Sequence, residues 1–364
     1  MLRTIQPQSA YSIMAKPLYK PGDFFLYIFL RNILFCLPAE ASHDFALRAM
    51  KIGDGLGISS LFAPNIAGKV HAKRVMGIDF PHVVGLAAGL DKNADYVEAL
   101  SAMGFGFIEV GTLTPRPQPG NPKPRMFRLK SEQAIINRLG FNNKGIDHAC
   151  ENIARLSNRG VLGINIGKNF DTPVEQANQD YIDCLQRAYQ LADYITVNIS
   201  SPNTPGLRTL QFGDEFTRLL DELKQEQALL QERHKIYTPI AIKLAPDMTE
   251  EQITACCQSL LSRDFDGVIA TNTTLDRSSI AANPLSEEPG GLSGAPLSVK
   301  SCEVLKCIKA EVGEKLPIIS VGGIMSAEHA EQRLSAGADL LQIYTGFIYN
   351  GPALIERILT RIDT

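Results

Sequence analysis

The sequence predicts an α/β protein: a closed (β/α)8 barrel preceded by a two-helix N-terminal extension. Three observations carry this. Apolar, β-prone runs recur regularly from residue 82 onward, helical patterns lie between them, and polar or glycine punctuation follows the runs rather than preceding them. The runs are Val83–Ala88, Phe107–Gly111, Val161–Ile166, Tyr194–Ile199, Ile240–Leu244, Gly267–Thr271, Ile318–Val321 and Leu340–Ile343. Each is short and apolar, as a strand covered on both faces should be.

The intervening segments read as helices. From Tyr181 to Ala192, Leu185, Ala188 and Leu191 share one face. Thr249 with Gln252 three residues later forms a capping box that opens the helix after the fifth strand. Ser298 and Ser326 are expected to cap later helices. Eight strand–helix alternations are the pattern of a closed parallel (TIM) barrel. An open doubly wound sheet competes, but offers no reason for eight regular repeats.

The first 65 residues stand outside this rhythm. Phe24, Phe25, Ile28, Phe29, Ile33, Leu34 and Leu37 make a very apolar helix that Pro38 breaks, and a second helix is expected from near Ser42 to Gly53 or Gly55. The run contains Arg31 and Asn32 and falls short of the roughly 20 apolar residues that a span needs. No small-residue cleavage site follows it. Packing against the barrel as extra core is one reading of residues 20–65; a surface dipping into a bilayer, or a greasy tunnel, is the reading their apolar excess favours. Residues 1–19 are expected to be a disordered leader. Arg3, Lys16 and Lys20 without an acid leave a transit peptide as the alternative. The barrel domain is expected over 66–364.

Composition excludes several classes. A net charge of −3 over 364 residues leaves no electrostatic footprint for nucleic acid. The seven cysteines contain no Cys-x-x-Cys pair and the six histidines no metal-ligand spacing, so a reducing compartment and no metal are expected.

In a barrel, every post-strand position shares the C-terminal face, where active sites lie. That gives Gly89, Lys92, Thr112, Asn165, Asn198, Lys243, Thr271, Asn272, Thr273, Gly323, Tyr344 and Thr345 one address. The most informative segment is Asn198-Ile-Ser-Ser-Pro-Asn-Thr-Pro-Gly-Leu-Arg208, where prolines forbid a helix and fix an ordered polar loop. Its bland reading is a surface turn; the sharper one is a ligand loop with Ser201 at its centre. Val321-Gly-Gly-Ile324 and Tyr344-Thr-Gly346 offer backbone N–H groups to a phosphate, and Gly294 could close over it. Lys243 ends an apolar strand, where an unpaired charge is strongly disfavoured. It serves either as a Schiff-base nucleophile or as a charge beside the pyrimidine end of a flavin. Asn137, Asn198, Asn203 and Asn272 each present a donor and an acceptor, the complement of a ring with alternating N–H and C=O edges. Lys92 and Arg138 could meet a substrate carboxylate.

Several long segments resemble the dihydroorotate dehydrogenases. They are Gly85-Leu-Ala-Ala-Gly-Leu-Asp-Lys92, Gly111-Thr-Leu-Thr-Pro-Arg-Pro-Gln-Pro-Gly-Asn121, Ile136-Asn-Arg-Leu-Gly-Phe-Asn-Asn143, Gly163-Ile-Asn-Ile-Gly-Lys-Asn169, Asn198 to Arg208, Gly267 to Arg277 and Gly290-Gly-Leu-Ser-Gly294. A serine at 201, where the soluble class 1 enzymes carry cysteine, and the N-terminal helices point to the quinone-dependent class 2 branch. The resemblance implies an FMN enzyme that oxidises dihydroorotate to orotate in pyrimidine synthesis, with Ser201 as the base. It implies FMN contacts at Ala88, Gly89, Leu90, Asp91, Lys92, Thr112, Asn165, Asn198, Lys243, Thr271, Gly294, Gly323, Tyr344 and Thr345. Substrate contacts are implied at Lys92, Asn137, Arg138, Leu139, Gly140, Phe141, Asn198, Asn203, Asn272 and Thr273. The helices would form a quinone tunnel with His43, Arg128 and Tyr344 at its inner end. Peripheral attachment of a monomer to the cytoplasmic face of a bacterial inner membrane is expected, with the mitochondrial inner membrane as the alternative. A barrel lyase using Lys243, and a membrane scaffold without catalysis, remain the competing functions.

Overall fold

A computed structural model describes residues 21–57, 63–66, 68–69, 71–157 and 159–363; the leader expected over residues 1–19 lies outside them, as do the side chains of residues 21–25. Two helices come first, α1 (Pro21–Leu34) and α2 (Ala39–Gly55). Pro38 is the N-cap of α2 at φ −51° and ψ 142°, an extended geometry that separates the two. The second helix starts three residues before the expected Ser42.

The strands follow in order: β1 (Lys73–Val75), β2 (Ile78–Phe80), β3 (Val84–Leu86), β4 (Phe107–Leu113), β5 (Met126–Leu129), β6 (Ala134–Asn137), β7 (Val161–Ile166), β8 (Tyr194–Asn198), β9 (Ile240–Leu244), β10 (Gly267–Ala270), β11 (Gly291–Gly294), β12 (Ile318–Val321) and β13 (Leu340–Ile343). β3, β4, β7, β8, β9, β10, β12 and β13 pair in parallel in that order, and β13 closes on β3 through Gln342↔Gly85 and Ile343↔Leu86. Seven of the eight sequence runs hold one of these strands whole, and the run Phe107–Gly111 holds all but the last two residues of β4. The closure rules out the open sheet.

The barrel interior is layered. At its N-terminal end the β1–β2 hairpin, absent from the sequence reading, inserts Phe80 against Phe107 (ring centroids 5.0 Å apart) and Tyr194 (6.4 Å). Gly85 and Gly163 make room for these rings: a Cβ on Gly85 would lie 2.4 Å from the Phe107 ring, and one on Gly163 2.2 Å from Tyr194 Cζ. Outward-facing strand residues such as Ile108, Ile164 and Val197 pack on the surrounding helices, forming the main core. Above the aromatic plug the interior turns polar, and the functional cavity begins there.

A second unforeseen element is the antiparallel sheet β5–β6–β11, with β6 central, which covers part of the C-terminal face. Its strands are four residues long, and β11 reads Gly-Leu-Ser-Gly, so no apolar run announced it.

The Thr249–Gln252 capping box is present, and Ser326 accepts from His329 N–H at 3.3 Å. Ser298 does not cap. It is the first residue of helix Ser298–Val312, because Leu297 before it is already helical (φ −82°, ψ −11°), leaving no extended position for a capping side chain. The 181–192 pattern corresponds to helix Ala177–Ala188, with Tyr181, Leu185 and Ala188 buried.

The N-terminal helices are tied down at defined points. Tyr27 Oη donates to Ile348 O (2.8 Å), and Arg31 Nη1 to Tyr349 O (2.6 Å). Glu40 of α2 pairs with the buried Arg125 at 2.7 Å. Burial alone would raise the Glu40 carboxyl, but Arg125 and Lys123 outweigh it and hold it below its ordinary value. Among the described residues no helix is long and apolar enough to cross a membrane.

Candidate active site

The post-strand residues converge on one cavity at the C-terminal mouth of the barrel. Its wall includes Ala88, Gly89, Lys92, Thr112, Asn137, Leu139, Gly140, Phe141, Asn198, Ser201, Asn203, Lys243, Thr271, Asn272, Thr273, Gly294, Gly323, Tyr344 and Thr345.

Strand alternation explains the selection. Along β8, Tyr194, Thr196 and Asn198 point inward while Ile195 and Val197 meet the helices. Asn198 Nδ2 donates to Thr112 Oγ1 (3.0 Å) and Asn165 Oδ1 (3.2 Å), while its Oδ1 accepts from Ser200 Oγ (3.0 Å) and Asn272 Nδ2 (3.4 Å). Asn203 Nδ2 donates to Asn137 Oδ1 at 3.3 Å, tying the serine loop to the end of β6. The asparagines therefore form two linked sets whose orientations are fixed by each other.

The two adjacent serines separate cleanly. Ser200 is fully buried, turned away from the cavity and bonded to Asn198. Ser201 lines the cavity, and its Oγ accepts from Asn203 N–H at 3.2 Å, leaving its own hydroxyl proton free to turn inward. Arg208 straps the loop: Nε donates to Ser200 O (3.0 Å), Nη2 to Thr273 O (2.8 Å), and Nη1 to Asp247 Oδ2 (2.8 Å).

Some expected residues lie elsewhere. Asn165 is enclosed behind Thr112, which donates to its Oδ1 at 2.6 Å. Asp91 is buried with its carboxylate accepting the N–H groups of Asn93, Asp95 and Tyr96, so it shapes the loop after β3; burial raises its pKa against those bonds. Leu90 faces a second cavity. Arg138 is not brought to the wall: it pairs with Glu288 at 2.7 Å and donates to Pro124 O at 2.8 Å.

That second cavity lies between α1, α2 and the barrel and is almost wholly apolar. His43 and Arg128 line it, whereas Tyr344 lines the first cavity. Met126 and Ile135 belong to the walls of both. Lys92 Nζ lies 3.3 Å from His43 Nε2, a polar link between the chambers. Burial brings the Lys92 pKa down to about 8 against the pull of Asp44 and Glu40. Burial first, and then Lys92, keep His43 neutral well below its ordinary value.

The dihydroorotate dehydrogenase family model matches residues 70–364. The quinone-type dihydroorotate dehydrogenase of Marinobacter nauticus is 53% identical over 337 residues, covering 93% of this chain and 98% of its own. That of Pseudomonas aeruginosa is 52% identical with the same coverage. The crystal structure of the Eimeria tenella enzyme with ferulenol superposes with a TM-score of 0.81 at 36% identity, over 89% of this chain and 90% of its own. The chain belongs to the quinone-dependent, class 2, dihydroorotate dehydrogenases.

One buried group at the heart of this dihydroorotate dehydrogenase fold escaped the sequence reading. Glu109 of β4 is fully enclosed and accepts from Asn165 Nδ2 (2.8 Å), Gln342 Nε2 (2.8 Å), Thr196 Oγ1 (3.0 Å) and Tyr194 Oη (3.1 Å). Lys243 Nζ stands 3.8 Å away. Burial lowers the Lys243 pKa and Glu109 opposes that shift. The family match, and not the electrostatics of Lys243, decides against the Schiff-base lyase.

Proposed function

We propose that the chain oxidises (S)-dihydroorotate to orotate at the barrel mouth with FMN as resident cofactor. The electrons pass to a membrane quinone entering between α1 and α2, as a step of de novo pyrimidine synthesis. The observation that carries this is the pair of cavities, one with convergent polar side chains in its wall and one apolar, sharing Met126 and Ile135 as their partition.

The residues fit FMN. Gly294 and Gly323 adopt φ of +97° and +72°, and a Cβ there would lie 2.2 Å from Gln133 O or 2.3 Å from Ser298 Cα. Only glycine allows the backbone to pass so close to those neighbours, and both glycines line the cavity, where their backbone N–H groups can serve a phosphate. Lys243 would stand by the pyrimidine end of the ring system, with Thr112, Asn198 and Thr271 along its edge. Bound FMN supplies a hydride acceptor that can then release its electrons to quinone.

The chain's own residues do the rest. Lys92 receives the substrate carboxylate, while Asn137, Asn203, Asn272 and Thr273 bracket the ring edges. Ser201 takes the C5 proton as hydride leaves C6. Its hydroxyl is a weak base, so the proton must move on along a hydrogen-bonded path; such assistance contributes about 10²–10⁴-fold. His43 and Arg128 receive the quinone head. Phe29, Ile33, Phe45 and Ile52 stand exposed on α1 and α2, at 63, 53, 61 and 65% of their surfaces. They support peripheral attachment to a bilayer; the setting we propose is a monomer on the cytoplasmic face of a bacterial inner membrane.

Purified protein should be yellow, bleach on anaerobic addition of dihydroorotate, and regain colour when a short-chain ubiquinone is added. Colourless folded protein that cannot take up FMN would contradict the proposal.

A further inference from the structure

The glycine loop after β12 rests on a buried cation that the chemistry above leaves unused. Arg333, on helix Ala327–Ser335, is 1% exposed. Its Nη2 donates to Ser298 O (2.6 Å), Ser301 Oγ (2.7 Å) and Gly322 O (3.0 Å), all neutral acceptors. Among the described residues it forms no ion pair with a carboxylate, and Nη1 is buried without a hydrogen-bond partner. A guanidinium taken out of water without a counter-ion is strongly unfavourable.

The peptide geometry says where the missing charge belongs. Gly322 O accepts from both Arg333 Nη2 and Ser301 Oγ (2.7 Å). In a planar trans peptide the N–H points opposite to the C=O. The Gly323 N–H is therefore turned away from Arg333, toward the cavity that Gly323 lines. The same guanidinium holds Ser298 O, and Gly323 is pressed against Ser298. Arg333 thus clamps two backbone segments behind one anion-facing donor.

We propose that Arg333 is a positioning residue whose charge is balanced by the phosphate monoester of the bound nucleotide. It sets the Gly323 N–H and favours a dianion in front of it without touching that anion. This rests on the FMN reading, and it adds that the chain prefers a phosphorylated flavin over the bare one through Arg333.

The test uses the full-length chain, stripped of flavin, with FMN and riboflavin as probes and quenching of flavin fluorescence as the readout. Arg333→Gln removes the charge but keeps a donor for Gly322 O; Arg333→Lys keeps the charge. The glutamine variant should lose about tenfold to a hundredfold in FMN affinity and leave riboflavin affinity unchanged. The lysine variant should keep most of the discrimination. Equal losses for both flavins, or unaltered discrimination in Arg333→Gln, would overturn the proposal. A measurement on wild-type protein covers variants that fail to fold: inorganic phosphate at constant ionic strength should raise the Tm of the flavin-free chain, and no rise also counts against it. Wild-type protein that binds neither flavin would instead sink the FMN reading itself.

Discussion

Glu109→Gln tests the electrostatics of the barrel floor. The substitution keeps the shape of the side chain and removes one charge 3.8 Å from Lys243 Nζ. At an effective dielectric of about 20, that pair attracts by about 4 kcal/mol. Four further donors converge on the carboxylate, from Asn165, Tyr194, Thr196 and Gln342, and an amide offers them a single acceptor oxygen. Breaking a buried pair from one side costs about 3–5 kcal/mol, so Tm should fall clearly. The sharper readout is pH. In the native protein burial lowers the Lys243 pKa and Glu109 raises it. With the carboxylate gone only burial remains, and Lys243 loses its proton at lower pH. Stopped-flow bleaching by dihydroorotate should decline with rising pH earlier in Glu109→Gln than in wild type. The double variant Glu109→Gln/Lys243→Met should lose this earlier decline and keep only the alkaline limb that Lys92, with its pKa brought down to about 8, imposes. Superimposable profiles for wild type and Glu109→Gln would refute the coupling.

Other outcomes follow from the same geometry. With the Lys92 pKa brought down to about 8, the ammonium that receives the substrate carboxylate is lost as pH rises through that value. The kcat/KM for dihydroorotate should therefore fall on the alkaline side, and Lys92→Met should flatten that limb at a much lower rate. Ala46→Trp, at a position lining the apolar cavity, should cut kcat/KM for quinone about tenfold or more while dihydroorotate bleaches the flavin at the native rate. Equal quinone turnover would show that the substrate does not enter there.

Much of this was legible in the chain because barrel strands covered on both faces write themselves as short apolar runs. Val161–Ile166 and Ile240–Leu244 have the same limits in the sequence reading and the structure. The antiparallel cover was not legible, since β5, β6 and β11 are short and mixed in character. Period-two alternation could have separated Asn137 from Arg138: neighbours on a strand end point to opposite sides, and Arg138 duly meets Glu288 outside the cavity. Ser201 and Ser200 both sit in a polar loop; the resemblance alone favours Ser201 in the sequence, and in the fold it is Ser201 that lines the cavity. Glu109 was hidden differently. An acid inside Phe107-Ile-Glu-Val110 has no local partner, and Lys243, Gln342 and Tyr194 reach it only when the barrel closes. The available signal was the lone acid itself, in a strand otherwise too apolar to be exposed.

The most direct test of the central claim is a pair of half-reactions measured on Ser201→Ala with FMN retained. The account predicts that bleaching by dihydroorotate slows by about 10²–10⁴-fold, while reoxidation of the pre-reduced protein by quinone proceeds at the wild-type rate. Native-rate bleaching in Ser201→Ala, or slowing of both half-reactions by the same factor, would contradict it.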